Sequence, residues 1–182
     1  MATSQAAGNP LSLLQCLDDE ARTSAPGLPE QVETPAVWSG LAVKLEDQGF
    51  VVALGEISEV VPLVTLTPVP LTKRWLRGVA NVRGELLSVV DLADFFGLLP
   101  VEIDDKSRLL IINDPLIRSA VLVGEVSGMK YFYEDEEMRH VSESEGPISK
   151  YLKGSFVQDH VRWQWLDLQR LSQADSFLHV AA

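Results

Sequence analysis

The sequence contains one cysteine, Cys16, so no disulfide can close within the chain. Basic residues are also few. Lys and Arg number 15 against 26 Asp and Glu, giving a formal net charge of −11. A surface of that sign repels phosphate backbones, and no basic stripe offsets it, which argues against nucleic acid as a partner. Uninterrupted apolar runs are a few residues long, far short of the ~20 that a membrane-spanning helix needs. The first residues lack the basic start and apolar core of a secretory signal. Together these absences predict a cytoplasmic protein with no direct membrane insertion.

The common motifs of catalysis are missing too. The sequence has no G-x-x-x-x-G-K-[ST] loop, no G-x-G-x-x-G after a strand and no G-x-S-x-G elbow. His140, His160 and His179 lie far apart with no cysteine near them, so zinc has no evident ligand set. The acidic run at residues 134–137 lacks the alternating spacing and the glycine of a calcium loop, and reads as a solvated face. Asp91 and Asp94 form a carboxylate pair of the kind a small hydrolase uses. No histidine stands beside them in sequence, and Asp91 reads better as a helix cap. The expectation is a chain without enzymatic activity, cofactor or metal.

What is present is organised around residues 75–97, WLRGVANVRGELLSVVDLADFFG. Two apolar runs, 79–82 and 86–90, flank a turn at Arg83-Gly84, where glycine supplies the positive φ that other residues resist. Asp91 then opens a short amphipathic piece that Gly97 closes. A degenerate copy begins 76 residues later, YLKGSFVQDHVRWQWLDLQRL. Trp75-Leu76-Arg77-Gly78 answers to Tyr151-Leu152-Lys153-Gly154, and Asp91-Leu92 to Asp167-Leu168. A second pair of segments, VVALGEIS at 51–58 and AVLVGEVS at 120–127, keeps the same order. This pattern predicts an internal duplication with copies at about 38–97 and 108–172.

Residues 1–37 read as an N-terminal extension: a tail, an amphipathic helix starting at Asn9-Pro10 with Leu11, Leu14, Leu17 and Ala21 near one face, and a linker rich in Pro, Glu and Thr. The Leu stripe either docks on the body or engages a partner helix; docking is the simpler reading. Residues 38–182 form the main domain. Alternation at 41–45, 50–54, 109–112, 120–126 and 161–166 predicts short strands, whereas Pro62, Pro68 and Pro70 predict an irregular crossing at 63–72. The fold class is all-β: two small barrels side by side, each closed by an Asp-capped turn. Each copy has about 60 residues, a size at which a core alone is marginal, so the lobes should lean on each other. The apolar tail at 177–182 should pack back on the body.

Comparing the copies singles out candidate recognition residues. Copy one has Asn81-Val82-Arg83-Gly84 where copy two has Val157-Gln158-Asp159-His160. The scaffold features survive in both, while the Asn and the Arg occur in one. An Arg at a hairpin tip suits recognition of another surface, since its fork makes directional bonds. The alternative is that Asn81 and Arg83 only satisfy local turn backbone.

At these residues the chain resembles the CheW family of chemotaxis coupling proteins. The motif GVANVRGELLSVVDLADFFG, residues 78–97, matches the family's G-x-x-N-x-R-G, strand, D-L, helix, G pattern, and weaker similarity covers about 40–171. The Leu-rich extension, Trp38-Ser39-Gly40 and the spelling GVANVRG look most like PilI-type adaptors of chemosensory systems that control type IV pili and twitching motility. The resemblance implies two SH3-like β-barrel lobes and no catalysis. It also implies two partners, the regulatory domain of a CheA-type histidine kinase and the cytoplasmic tip of a methyl-accepting chemoreceptor, met at membrane-associated arrays. The family's partner-binding positions fall on Ile57, Glu59, Gly78, Asn81, Arg83, Gly84 and Ala120. Ile57 would offer an apolar contact, Gly78 would let a partner helix approach the backbone, and Glu59 would pair with Arg83 and orient it. Copy two departs from the family's G-L-L-V-D run, reading Ala120-Val121-Leu122-Val123-Gly124, which would set partner affinity or choice apart. A stand-alone regulatory module that binds kinase-side proteins without a receptor is the alternative on the same fold.

Overall fold

The computed structural model describes residues 37–133, 147–158 and 160–182. The expected N-terminal helix and linker, the acidic run at 134–137 and the loop at 141–146 lie outside the described residues. Eleven strands follow in order: β1 (Val37–Leu45), β2 (Gln48–Ala53), β3 (Ile57–Pro62), β4 (Leu66–Thr67), β5 (Leu76–Val82), β6 (Glu85–Asp91), β7 (Arg108–Ile112), β8 (Ser119–Val123), β9 (Glu125–Tyr133), β10 (Leu152–Gln158) and β11 (Val161–Leu166). Three short helices, α1 (Leu92–Phe95), α2 (Leu168–Ser172) and α3 (Asp175–Leu178), complete the described fold along with 3-10 turns at Leu54–Glu56 and Pro147–Tyr151. The fold is all-β, with two lobes.

One sheet runs β10-β11-β2-β1-β9 and the other β3-β7-β8-β6-β5-β4. The duplication is visible in this order. By the sequence repeats, β1 and β2 correspond to β7 and β8, while β3, β5 and β6 correspond to β9, β10 and β11. Replacing each strand of the first sheet by its counterpart gives β5-β6-β8-β7-β3, the second sheet without β4. The copies have therefore exchanged their first two strands. The second sheet is contiguous, from Ile57 to Val123, and is inserted into the first. Neither sheet coincides with the contiguous copies at 38–97 and 108–172. The exchange is sealed by parallel pairing of β2 with β11 and of β6 with β8, which needs long crossovers rather than hairpins.

Exchange explains why the lobes share a core. Leu41, Val43, Leu45, Phe50 and Val52, on one face of β1 and β2, pack in one cluster with Val89, Leu110, Val121 and Leu122 of the second sheet. The opposite face carries Ala42 and Val51 into an aromatic cluster with Phe132, Phe156 and Trp163, flanked by Trp38 and Trp165. Phe132 and Phe156 stack at 4.5 Å between ring centres. Burial of each such side chain stabilises by roughly 1.5–3 kcal/mol, so strands buried on both faces fix the joint between the lobes.

The crossing at 63–72 is not wholly irregular. Leu66 and Thr67 pair with Ala80 and Val79 as an edge strand. An edge strand tolerates flanking prolines because one of its sides has no ladder to donate to. The tail behaves as expected: Phe177 is buried, Ala181 bridges Thr72, and the Lys73 N–H donates to the Val180 carbonyl at 2.9 Å.

Both Asp-Leu sites are caps. Asp91 Oδ1 accepts from the Asp94 N–H at 3.1 Å, and Asp167 Oδ1 from the Arg170 N–H at 2.9 Å. Asp91 is fully buried and also accepts from the Val101 N–H at 3.0 Å. Burial raises the Asp91 carboxyl above its ordinary value, while the Asp94 and Val101 N–H bonds and the Arg77 charge oppose that shift. A carboxyl raised in the folded state contributes stability that is present in full below its unfolded pKa and is lost as pH rises through the folded one. The stability of the native chain relative to Asp91→Asn should therefore increase as pH falls from 7 toward 4. Urea melts of both proteins across that range measure it, and a constant difference would contradict the assignment.

Candidate functional site

The site grows from the β5–β6 turn. Val82 pairs with Glu85, leaving a two-residue connection in which Arg83 has φ 52° and Gly84 φ 88°. Two successive left-handed residues make the turn whose twist matches that of paired strands. The Asn81 side chain holds it, its Oδ1 accepting from the Gly84 N–H at 2.9 Å. Asn81 thus does what local turn chemistry requires. Arg83 does more. Its Nη2 lies 2.6 Å from Glu59 Oε1, and its side chain remains 76% exposed. Glu59 is on β3, an edge of this sheet, while the turn joins β5 and β6 across the sheet. The ion pair therefore links the hairpin tip to the edge strand β3. Gln158 does the corresponding work in the first lobe, its Nε2 donating to the Tyr131 carbonyl at 3.0 Å and so linking edge strands β10 and β9.

The pairing of β3 with β7 shifts register between Ile57 and Glu59. Such a bulge re-aims side chains. Ile57 is half-buried against the shared core, Glu59 is half-exposed, and Val60 and Leu86 present apolar surface. A cleft of about 280 Å³ opens beside β3, with Ser58, Leu87, Ile117 and Arg118 in its wall. A larger cleft of about 560 Å³, lined by Lys44, Leu99, Val101, Lys106 and Glu125 among others, includes none of the expected partner-binding residues.

Two expected contact residues are turned inward. Gly78 is buried with φ 139°, and a Cβ there would lie 2.3 Å from the Thr67 carbonyl oxygen. The backbone that approaches Gly78 is the chain's own β4, so the space expected for a partner helix is already filled. Ala120 is fully buried, opposite Val89 and Ile111 in the ladder. It packs in the shared core. The structure brings together Ile57, Glu59, Asn81, Arg83 and Gly84 around β3 and the hairpin tip.

Sequence reading missed one cluster. Lys153 Nζ lies 3.0 Å from Glu56 Oε1 and 3.1 Å from Asp167 Oδ2. A signal was present in the repeats: Lys153 answers to Arg77, whose Nε lies 3.6 Å from the Asp91 cap. In both copies a cation faces the carboxylate that caps the helix.

The fold and the site define a two-lobed β protein that carries an exposed Arg–Glu ion pair at a hairpin tip. The chain belongs to the CheW-like domain family, whose family model matches residues 39–176. It is 33% identical to Protein PilI of Pseudomonas aeruginosa over 172 residues, covering 94% of this chain and 96% of that one. It is 28% identical to Chemotaxis protein CheW of Thermotoga maritima over 113 residues, covering 62% of this chain and 74% of that one. Its fold matches the crystal structure of the scaffolding protein TtCheW from Thermoanaerobacter tengcongensis with a TM-score of 0.68 at 19% identity, covering 80% of this chain and 94% of that one. Among the described residues no helix is long and apolar enough to cross a membrane.

Proposed function

We propose that the chain is a non-catalytic adaptor that couples a methyl-accepting chemoreceptor to a CheA-type histidine kinase in a chemosensory system controlling type IV pili and twitching motility. It would work at membrane-associated arrays on their cytoplasmic side. The observation that carries this reading is the Arg83–Glu59 pair, a largely exposed guanidinium fixed at a hairpin tip beside half-buried Ile57. Similarity to Protein PilI along 94% of the chain supports the pilus setting. An adaptor of this kind acts by raising the effective concentration of kinase at receptor, so each contact can be modest in area and strength.

Calorimetric titration with the kinase regulatory domain, and separately with a receptor cytoplasmic-tip fragment, tests the proposal. Saturable binding of both is expected, with affinity in the micromolar range typical of contacts below about 1,200 Å². Arg83→Ala should weaken binding of at least one partner by about fivefold or more. It should leave the melting temperature nearly unchanged, because an exposed ion pair stabilises by only about 0–1 kcal/mol. Binding of the kinase domain without any receptor binding would favour the stand-alone regulatory module.

A further inference from the structure

Glu56 stands where the chain leaves the first sheet and enters the second. Its backbone carbonyl accepts from the Asn113 N–H at 2.9 Å, in the second lobe. Its side chain reaches into the first lobe, where Oε2 accepts from the Leu168 N–H at 2.7 Å and Oε1 meets Lys153 Nζ at 3.0 Å. Lys153 also bonds Asp167 and sits 5.4 Å from the centre of the Trp165 ring. The Glu56 and Asp167 side chains are only 10% and 13% exposed. One ammonium thus holds two carboxylates that water barely reaches. Burial by itself would lower the Lys153 pKa, but the hydrogen bonds and charges of Glu56 and Asp167 outweigh it and leave the group raised.

The other crossing between the sheets is built differently. Glu125, the counterpart of Glu56, lies 3.7 Å from Lys44 on β1. The second oxygen of Asp91 accepts from the Val101 N–H and faces Arg77 Nε at 3.6 Å, and Arg77 donates onward to the Val101 carbonyl at 3.2 Å where Lys153 reaches the glutamate of its crossing. Among the described residues only the Glu56 crossing is clamped to a helix start, and Ile57 and Glu59 lie one and three residues further along the chain.

We infer that Lys153 is a positioning residue for partner binding: by clamping Glu56 to Asp167 and to the first turn of α2, it fixes the start of β3 and so places Ile57 and Glu59 relative to the first lobe. This rests on the function proposed above, in which those two residues meet the partner. The clamp makes no contact with a partner itself. Asp167 holds Lys153 from one side, and Lys153 holds Glu56 from the other.

The test compares full-length wild type with Lys153→Met, Lys153→Arg and Glu56→Gln, by amide hydrogen exchange and by titration with the same two partners. Lys153→Met should speed exchange across residues 55–59 and weaken partner binding, each by about tenfold, while β8 amides in the shared core keep their rates. Lys153→Arg can still bridge both carboxylates and should bring binding and exchange to within about twofold of wild type. Glu56→Gln keeps the size and an acceptor for the Leu168 N–H, so it should reproduce the Lys153→Met loss even if the latter folds poorly. Unchanged exchange at 55–59 would overturn the inference, as would faster exchange there with unchanged affinity, or a loss spread equally over β8. Wild type that binds neither partner overturns the proposed function and the positioning role with it. Wild-type binding that Lys153→Met and Glu56→Gln leave intact overturns the positioning role alone.

Discussion

Gly78→Ala should be among the most damaging single-atom additions to the fold, with a loss of about 3–5 kcal/mol and a fall in melting temperature of roughly 10 °C. Two effects combine. At φ 139° the backbone occupies a region that side-chain-bearing residues rarely adopt. The added Cβ would also lie 2.3 Å from the Thr67 carbonyl oxygen and 2.8 Å from its carbon. Those atoms are backbone, and they belong to β4, which cannot retreat without breaking its pairing with Ala80 and Val79. Gly84→Ala is the informative contrast. Gly84 also has positive φ, but a Cβ there meets nothing within 4 Å, so only conformational strain of about 1 kcal/mol is expected. Differential scanning calorimetry of the two variants separates the cases. Equal and small shifts would mean that β4 is not held against Gly78 and would reopen that position to a partner.

That pair of glycines shows how far the residues could be read beforehand. Turn chemistry is local, so Arg83-Gly84 with Asn81 two residues earlier was legible, and so were the caps at Asp91 and Asp167, because the motif recurs at the same spacing. Close approach is not local. A glycine announces that some backbone comes near, without saying whose, and at Gly78 it is the chain's own. Ala120 was misplaced for a similar reason: a small residue in an apolar run fits a contact surface or a packed core equally, and the ladder beside Val89 and Ile111 makes it core. The strand exchange left no mark on any single segment. It depends on parallel pairing between stretches far apart, β2 with β11 and β6 with β8, and periodicity within a strand is the same whichever neighbour it finds. The start of β1 was hidden too, since Trp38-Ser39-Gly40 breaks the alternation. Gly40 is needed there because a Cβ would lie 2.4 Å from Val51 Cγ1.

The shared core gives the exchange a functional consequence. The proposed adaptor, holding two proteins in a fixed relation, needs lobes that do not drift. Here each lobe is completed by strands from the other copy, and β1 and β2 are buried on both faces. Mutations in the joint should therefore act on stability as a whole, while mutations on β3 and the hairpin tip act on binding. The division is physical: Leu45, Phe50 and Val52 have no exposed surface, whereas Arg83 keeps three quarters of its side chain in water.

Arg83→Glu should reduce partner affinity by about thirtyfold or more, well beyond the loss from Arg83→Ala. The substitution removes a guanidinium and sets a second carboxylate against Glu59, where the native charges stand 2.6 Å apart. The shorter Glu side chain cannot reach β3, and the unbridged like charges keep the tip off it, so the loss includes the shape of the site as well as its charge. The charge swap Glu59→Arg with Arg83→Glu then separates two roles for the pair. The swap restores an ion pair between the same strands and should recover the melting temperature. If a partner reads the Arg83 guanidinium directly, the swap leaves binding as weak as in Arg83→Glu, because a carboxylate now occupies the tip. If the pair serves only to link the tip to β3 and hold it in place, binding returns with the melting temperature. The first outcome is expected: the side chain is too exposed for its pairing to stabilise the fold by much, and a fork left free to donate its remaining N–H groups suits a carboxylate or carbonyl on a facing helix.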